Sequence, residues 1–161
     1  MKISRFVEEI DRMIHWRAVS FEKLSLVELY ELMALRQEVF VVEQDCPYLD
    51  ADGKDFDSHH VMGYDSNMLV ACTRIVAPGI SYDEVSLGRI VTKPSVRGKG
   101  HGIALMQFSH QMVKELYGDV PIRISAQCYL EKFYKNLGYE ATGKEYLEDG
   151  IPHMEMLRKV H

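Results

Sequence analysis

The segment that decides the fold is residues 85–117, VSLGRIVTKPSVRGKGHGIALMQFSHQMVKELY, which predicts a strand, a glycine-rich turn and a helix. The strand is apolar and partly β-branched, but Gly88 and Arg89 interrupt its alternation, so we expect a β-bulge there. Pro94 ends the strand because proline has no N–H to donate to a ladder. After the turn, apolar residues recur at helical spacing to the end of the segment.

The turn inside this segment, residues 97–102 (RGKGHG), places three glycines in five positions just before a helix. Such a run is unfavourable unless the backbone must come close to something. The N–H groups and the dipole at a helix N-terminus favour an anion, and Arg97 and Lys99 add positive charge. A P-loop and a dinucleotide fingerprint need other spacings. We interpret the turn as a phosphate cradle; a flexible glycine-rich loop is the alternative.

Length and charge limit the class of protein. The 161 residues suit one domain, 1–161, with residues 1–11 as a short N-terminal extension. No apolar run approaches the roughly 20 residues that cross a bilayer, and the N-terminus lacks a secretory signal, so we expect a cytoplasmic protein without membrane contact. The 3 cysteines lack paired spacing and fit a reducing compartment. A net charge of −5 leaves no basic footprint for nucleic acid.

The pattern along the chain predicts the element order β-α-α-β-β-β-α-β-α-β-β. We expect the other strands at 13–21, 59–64, 68–77, 122–127, 140–146 and 154–160. The other helices are expected at 25–43 and 129–137. A bend should divide the first of these, with residues 39–44 as a second short helix. The strand–helix–strand step implies one parallel pair, and the hairpins are antiparallel. The fold class is therefore α/β or α+β, a mixed central sheet of about seven strands with helices on both faces.

The pattern R-x-x-G-x-G, from Arg97 through Gly100 to Gly102, resembles the hallmark of the GNAT acyl-CoA N-acyltransferase superfamily. Two more stretches, residues 35–48 (LRQEVFVVEQDCPY) and 148–153 (EDGIPH), are similar to the ElaA-like branch of that superfamily. The resemblance covers nearly the whole chain beyond residue 12. It implies the GNAT fold and acetyl-CoA as cosubstrate, and it supplies no acceptor.

The resemblance also implies where coenzyme A binds. Backbone N–H groups of the turn would hold the pyrophosphate: Arg97, Gly98, Lys99, Gly100, His101 and Gly102. The end of the preceding strand would offer its backbone to the acetyl carbonyl and the pantetheine arm: Arg89, Ile90, Val91 and Thr92. The thioester is expected in a gap between this strand and the next, beyond the carboxyl ends of parallel strands. Asn136 would line the coenzyme pocket or face solvent.

Tyr134 is the predicted general acid. It lies in residues 132–139, KFYKNLGY, which match the F-Y-x-x-x-G-[FY] string of many GNAT members. By that resemblance, its hydroxyl protonates the departing CoA thiolate, which leaves better when protonated or hydrogen-bonded. The alternative is an aromatic packing residue whose hydroxyl is satisfied nearby.

The general base is less defined by sequence. Direct transfer needs a neutral amine, and hence a carboxylate or a water chain to take its proton. The candidates in the first half of the chain are Glu43, Asp52, Asp55, Asp57, His59 and His60. Glu43 follows Val41 and Val42, so we expect it to be partly buried. The alternative is that it pairs with Arg36 or Arg74. The loop aspartates have turn formation as their alternative role.

His153 is expected just before the final strand, at a sheet end that faces the acceptor pocket. It could bind substrate or relay a proton, with a structural histidine as the alternative. Cys46 is considered as a nucleophile that would form an acyl-cysteine intermediate. The sequence shows no Cys-His-Asp catalytic triad, so direct transfer of the acetyl group is preferred.

No metal site is predicted. His59 and His60 are neighbours on a strand and point to opposite faces, and no zinc spacing is present. Residues 50–57 do not fit an EF-hand loop, because Lys54 takes a ligand position.

The leading hypothesis for function is an N-acetyltransferase that passes the acetyl group of acetyl-CoA to a primary amine of a small molecule or peptide in a ternary complex. A non-catalytic CoA-binding sensor or partner module is the alternative, and a phosphate-binding protein unrelated to CoA is the third. Tyr134 favours catalysis, since a binding module does not need it. The acceptor, the acyl chain and the oligomeric state stay open, with a homodimer as one option.

Overall fold

The computed structural model describes residues 13–160, so the expected N-terminal extension, residues 1–11, lies outside the described part. The strands are β1 (His15–Ser20), β2 (Ser58–Asp65), β3 (Met68–Val76), β4 (Val85–Thr92), β5 (Ile122–Gln127), β6 (Glu140–Glu148) and β7 (Ile151–Arg158). The helices are α1 (Leu26–Arg36), which continues as a π-helical segment (Gln37–Glu43), α2 (His101–Tyr117) and α3 (Glu131–Lys135).

One seven-stranded sheet, in the order β1-β2-β3-β4-β5-β7-β6, organises these elements. The pair β4–β5 is parallel and the other pairs are antiparallel, as the element order predicts. Alternating side chains of the strands build two cores, one on each face. The larger core packs α2 and α3 against the sheet around Leu105, Met106 and Tyr134. The smaller core packs α1 against the other face through Leu32 and Leu35.

Helix α1 begins at a capping box and ends differently from the prediction. Ser25 Oγ accepts the N–H of Glu28, whose carboxylate accepts the N–H of Ser25 in return, at 3.1 and 2.9 Å. Instead of a bend and a separate helix, the chain continues into the π-helical segment, where the N–H of Gln44 donates to Val39 O five residues earlier. Such wider turns are often found at functional sites.

Strand β4 contains the predicted bulge. Arg74 pairs with Gly88 and Cys72 with Val91, so two residues of β4, including Arg89, lie opposite one residue of β3. On its other side, β4 pairs with β5 at Val85 and Ser86, and the described strands then diverge. A gap therefore opens between the carboxyl ends of β4 and β5.

The end of the chain corrects two predictions. Strand β7 starts at Ile151 rather than Met154, so His153 lies inside the strand and not before it. Pro152 is tolerated because pairing with β5 starts only at His153, which leaves one side of the proline without a strand neighbour. The helix predicted at 129–137 is a 3₁₀ turn, Cys128–Leu130, followed by the short α3.

Candidate active site

The glycine-rich turn, residues 97–102, presents backbone at the start of α2. Gly98 and Gly100 have φ of +80° and +83°, and an added Cβ at either position would meet no atom within 4 Å. Backbone conformation, rather than lack of space, therefore requires glycine at these two positions. The space beside these two glycines is open, which is compatible with the predicted cradle.

The N–H groups of this turn are available to a ligand. The first backbone bond of α2 runs from the N–H of Ala104 to Gly100 O at 3.1 Å, and the N–H of Arg97 donates to Pro94 O at 3.3 Å. Among residues 13–160, no acceptor is found for the N–H groups from Gly98 to Ile103. These donors and the dipole of the 17-residue α2 favour an anion.

The side chain of Arg97 holds protein groups. Its Nε and Nη2 donate to Thr92 O at 3.1 and 3.0 Å, and its Nη1 and Nη2 donate to the two carboxylate oxygens of Glu43 at 2.5 and 3.0 Å. Arg97 thus ties the end of β4 to the π-helical segment. Glu43 is therefore exposed rather than partly buried, and its partner is Arg97 rather than Arg36 or Arg74, so both alternatives that the sequence offered for it are wrong.

The strand end beside the turn borders the gap. Val91 is buried in the smaller core, and Ile90 packs against the larger one. Both Thr92 and Lys93 are anchored: Thr92 O accepts Arg97, and the N–H of Lys93 donates to Val70 O at 2.7 Å. Because β4 pairs with β5 only at Val85 and Ser86, the rest of β4 has no strand partner on the side of the gap.

Tyr134 lies on α3, buried in the larger core at 4% exposure. Its ring makes edge-to-face contacts with Phe133 and Tyr139, at centroid distances of 5.1 and 5.9 Å. Burial raises the pKa of Tyr134, and the neighbouring Tyr129 raises it further, so the phenol is protonated at neutral pH. Its hydroxyl has no hydrogen-bond partner within the described chain, unlike the expected packing tyrosine. Asn136 is exposed at the end of α3.

A second group of charged residues surrounds the bulge of β4. We call it the arginine–aspartate network, and its members are Arg36, Arg74, Arg89, Asp50, Asp52 and Asp55. Arg36, 1% exposed, bonds Asp50 through Nε at 2.8 Å and Asp55 through Nη1 at 2.7 Å. Arg74 bonds both oxygens of Asp52, at 2.7 and 2.6 Å. Three cations and three carboxylates balance, which reduces the cost of burying them.

The network explains why the loop aspartates are poor base candidates. Burial acts to raise the pKa of Asp52 and of Asp55, but hydrogen bonds and charge from Arg74 and Arg36 respectively hold each pKa well below its usual range. A carboxylate with so low a pKa has little tendency to accept a proton. Asp57 lies exposed beside the network.

The two candidate histidines of β2 lie on opposite faces, as predicted. His60 is buried, with Nε2 3.2 Å from Asp55 O, and burial lowers its pKa. Burial, with the charge of Lys23, also lowers the pKa of the half-buried His59. His60 therefore belongs with the network rather than with the gap.

Arg89 links the network to the bulge. Its φ is +50°, a left-handed conformation that costs a non-glycine residue about 1–2 kcal/mol. An ion pair to Asp50 at 2.8 Å and a hydrogen bond from Nη2 to Asp50 O at 3.0 Å hold it there. The acidic loop thus stabilises the bulge at which β4 turns away from β5.

On the other side of the gap, strands β5, β7 and β6 present what we call the polar face. The even-numbered residues of β5 are buried in the larger core, so its odd-numbered residues lie on the opposite side. Registers Gln127↔His153 and Tyr146↔His153 place these three residues on that side together. The polar face consists of Arg123, Ser125, Gln127, Tyr146, Glu148, His153 and Glu155.

His153 is near the gap, as expected, at 9% exposure. Its Nδ1 lies 2.7 Å from Ile151 O, and its Nε2 lies 3.5 Å from a carboxylate oxygen of Glu148. Its ring stacks on that of Tyr146, with centroids 6.1 Å apart. Of the base candidates, His153 is therefore the one that the fold brings to the carboxyl end of β5.

The loop after the π-helical segment crosses to this face. Gln44 and Gln127 join their side-chain amides, with Gln127 Nε2 3.2 Å from Gln44 Oε1. Cys46 Sγ donates to Asp149 O at 3.5 Å in the turn between β6 and β7. Cys46 is buried in this contact, which gives it a structural role.

Residues 13–160 were compared with the requirements of a metal site and of a membrane-spanning helix, and they meet neither. No group of three His, Cys, Asp or Glu side chains is placed to hold a metal ion there. In the same range, no helix combines the length and apolarity needed to cross a membrane.

Sequence reasoning missed the polar residues Ser125, Tyr146 and Glu148. The alternation of β5 marks Ser125 as lying opposite the core, but no local signal shows that β6 brings Tyr146 beside it. It also missed the arginine partners of the loop aspartates, which come from three separate elements.

Comparison with known proteins shows the family. A family model described as "Acetyltransferase (GNAT) domain" matches residues 49–160. Protein ElaA of Escherichia coli is 38% identical over 150 residues, covering 92% of this chain and 98% of that protein. A UPF0039 protein of Synechocystis is 40% identical over 148 residues, covering 91% and 96%.

Solved structures agree with this family assignment. A crystal structure described as an acyl-CoA N-acyltransferase from Pseudomonas aeruginosa superposes with a TM-score of 0.86 at 41% identity, covering 90% of this chain and 99% of that one. The crystal structure of Escherichia coli ElaA superposes with a TM-score of 0.85 at 37% identity, covering 91% and 100%. The predicted GNAT fold is thereby confirmed.

Proposed function

Because the chain belongs to the ElaA-like branch of the GNAT acetyltransferase family, we propose that it transfers the acetyl group of acetyl-CoA to a primary amine in a ternary complex. The observation that carries the proposal is the gap between β4 and β5, which starts beside the glycine-rich turn and ends at the polar face. One ligand that spans the gap can present a diphosphate at one end and a thioester at the other.

The protein's own groups would act as follows. N–H groups from Gly98 onward bind the diphosphate, and the exposed backbone of β4 binds the thioester carbonyl and its developing negative charge. The neutral amine nitrogen attacks the carbonyl carbon; the C–N bond forms, the C–S bond breaks, and sulfur leaves with the bonding pair. Tyr134 gives its proton to that sulfur and is reprotonated by the proton that the new amide nitrogen releases.

Two observations bear on the role of Tyr134. Burial raises its pKa, which keeps the hydroxyl protonated at neutral pH and also makes the phenol a weaker acid. Its hydroxyl has no competing acceptor among the described residues, so it is available to the departing sulfur. Glu43 fits the role of base less well, because both its oxygens bond Arg97 and a proton would have to displace that ion pair.

The test is thiol release from acetyl-CoA in the presence of a panel of amines, with calorimetry of CoA binding beside it. We expect amine-dependent thiol release by the native chain. Y134F should lower kcat by about 10²-fold, the usual contribution of a general acid, while CoA affinity stays within twofold. Tight CoA binding without thiol release for any amine would favour the binding module instead.

A variant of the turn tests the cradle separately. G100D places a negative charge beside the diphosphate and forces a side chain into a left-handed conformation that costs about 1–2 kcal/mol. We expect the Kd for CoA to rise at least tenfold, which corresponds to about 1.4 kcal/mol. Equal affinity for CoA and for simple nucleotides in the native chain would support a general phosphate-binding protein.

A further inference from the structure

The polar face contains carboxylates in two different electrostatic states. Arg123 bonds both oxygens of Glu84, and it also bonds Glu155, which in turn lies 3.6 Å from Lys144. These two cations and two anions balance. At the other end of the face, no lysine or arginine of the described chain pairs with Glu148. Glu148 is therefore the carboxylate of this face without a lysine or arginine partner, and its ionisable neighbour is His153.

The tautomer of His153 adds a second observation. Nδ1 lies 2.7 Å from Ile151 O, and a carbonyl only accepts, so Nδ1 carries the hydrogen. In the neutral ring, Nε2 then presents a lone pair, and it faces a carboxylate oxygen of Glu148 at 3.5 Å. Two acceptors that face each other at this distance are stabilised by a proton or a cation that interacts with both.

Hydroxyl groups complete the site on either side. Ser125 Oγ lies 3.2 Å from the same oxygen of Glu148 and hydrogen-bonds the hydroxyl of Tyr146. Tyr82 lies beside this cluster. Burial raises its pKa most, and Tyr146, Glu155 and Glu148 raise it further, so Tyr82 remains a neutral hydrogen-bond donor. Hydroxyls of this kind can orient a substrate without adding charge.

The site also lies where an acceptor must approach. His153 pairs with Gln127, the last residue of β5, so Nε2 is at the mouth of the gap and not at its closed end. With 91% of its surface covered, His153 sits in a partly desolvated environment, whereas Glu148 is half exposed and can meet an arriving cation.

We infer that Glu148 and His153 form the acceptor subsite, and that the acceptor is a primary amine that arrives as its ammonium cation. Glu148 binds the ammonium group, and His153 Nε2 accepts one proton from it. The nitrogen lone pair thus freed attacks the acetyl carbon, and the proton on His153 passes to solvent after the product leaves. The proton transfer and the attack on the acetyl carbon rest on the proposed transfer reaction. The binding of the ammonium group rests on the polar face alone.

The closing experiment separates binding from turnover. Butylamine, benzylamine and putrescine are titrated into the CoA-loaded protein by calorimetry, with butanol and benzyl alcohol as neutral counterparts. The same amines are then assayed with acetyl-CoA. We expect the amines to bind, the alcohols to bind at least tenfold more weakly, and E148Q to raise both Kd and KM for the amines at least tenfold with CoA affinity unchanged.

The role of His153 as proton acceptor is tested by a kinetic measurement that a purely structural role would not change. H153Q should lower kcat at least tenfold while the KM for the amine changes less than threefold, because the glutamine keeps a polar group but accepts no proton. The matched control is E145Q on the same strand: Glu145 is exposed and pairs with the core-facing Met154, so it lies on the other face. Its kinetics should equal those of the native chain.

The outcomes distinguish the two proposals. If amines bind in a Glu148-dependent way but no thiol is released, the transfer reaction is wrong and the cation subsite stands. If thiol is released and E148Q behaves like E145Q, the reaction stands and this subsite is wrong. If none of the three amines binds or reacts, or if the alcohols bind as tightly, the inference is overturned.

Discussion

The arginine–aspartate network and the polar face both place carboxylates around the gap, and they use them in opposite ways. In the network, every carboxylate has an arginine: Asp50, Asp52 and Asp55 are all paired at 2.8 Å or less. On the polar face, the contacts of the Glu148 carboxylate within residues 13–160 are with the hydroxyl of Ser125 and the imidazole of His153. The paired carboxylates hold the bulge of β4 in shape, while Glu148 has no lysine or arginine partner among the described residues. Partners, rather than residue type, separate the structural carboxylates from the candidate binding group.

The largest expected effect comes from removing an arginine of the network. R36L leaves Asp50 and Asp55 buried without their main partner, which typically costs about 3–5 kcal/mol. Urea unfolding at pH 7 measures it. The control is K135Q, which breaks the exposed Lys135–Glu131 pair and should cost less than about 0.5 kcal/mol. Equal losses for both variants would mean that the network is not a stabilising unit.

Acid should remove the stabilisation that the ion pairs of the network provide. The folded-state pKa values of Asp52 and Asp55 lie below the unfolded value of about 3.9. Their stabilisation is thus complete above about pH 5 and is lost as pH falls through 3.9 toward the folded values. Urea midpoints should fall across that window.

The variant D52N should be less stable than the native chain at pH 7 by about 1.5–3 kcal/mol, the range for a hydrogen bond to a charged group, and should lose less stability on acidification. An unchanged acid slope would remove Asp52 from the network's pH response.

Glu43 tests the intermediate case, a carboxylate paired at the surface. Its ion pair with Arg97 has side chains 37% and 41% exposed, so E43Q should cost less than about 1 kcal/mol of stability. We expect the KM for acetyl-CoA to rise a few fold, because Arg97 positions the turn, and kcat to stay within tenfold. A fall in kcat of about 10²-fold or more at unchanged KM would instead identify Glu43 as the base.

The smallest effect on stability is expected at Glu148. It is half exposed and has no arginine, so E148Q should change the free energy of unfolding by less than about 0.5 kcal/mol. Thermal unfolding beside the native chain measures this. The variant that matters most for amine binding would then matter least for folding. A loss above 2 kcal/mol would place Glu148 with the network carboxylates.

Much of the fold follows from local patterns in the sequence. The strand–turn–helix of residues 85–117, the bulge at Arg89, the capping box at Ser25 and the strand at 122–127 all follow from a few neighbouring residues, and all are confirmed. The start of β7 was missed because Pro152 reads as a strand breaker, while its pairing with one strand alone makes it tolerable. The element order and the family could be predicted because the sequence signals that define each element lie within about ten residues of one another.

The charge pairing was decided by tertiary structure. Arg36 meets Asp55 across 19 residues, Arg89 meets Asp50 across 39, and Arg97 meets Glu43 across 54. The hydroxyl, carboxylate and imidazole of the polar face come from three strands. A pKa and a proton-accepting atom depend on which groups lie within a few ångströms, and only the folded chain determines that. The sequence by itself therefore determined the scaffold and the glycine-rich turn, and the fold decided which carboxylates pair with arginine and which does not.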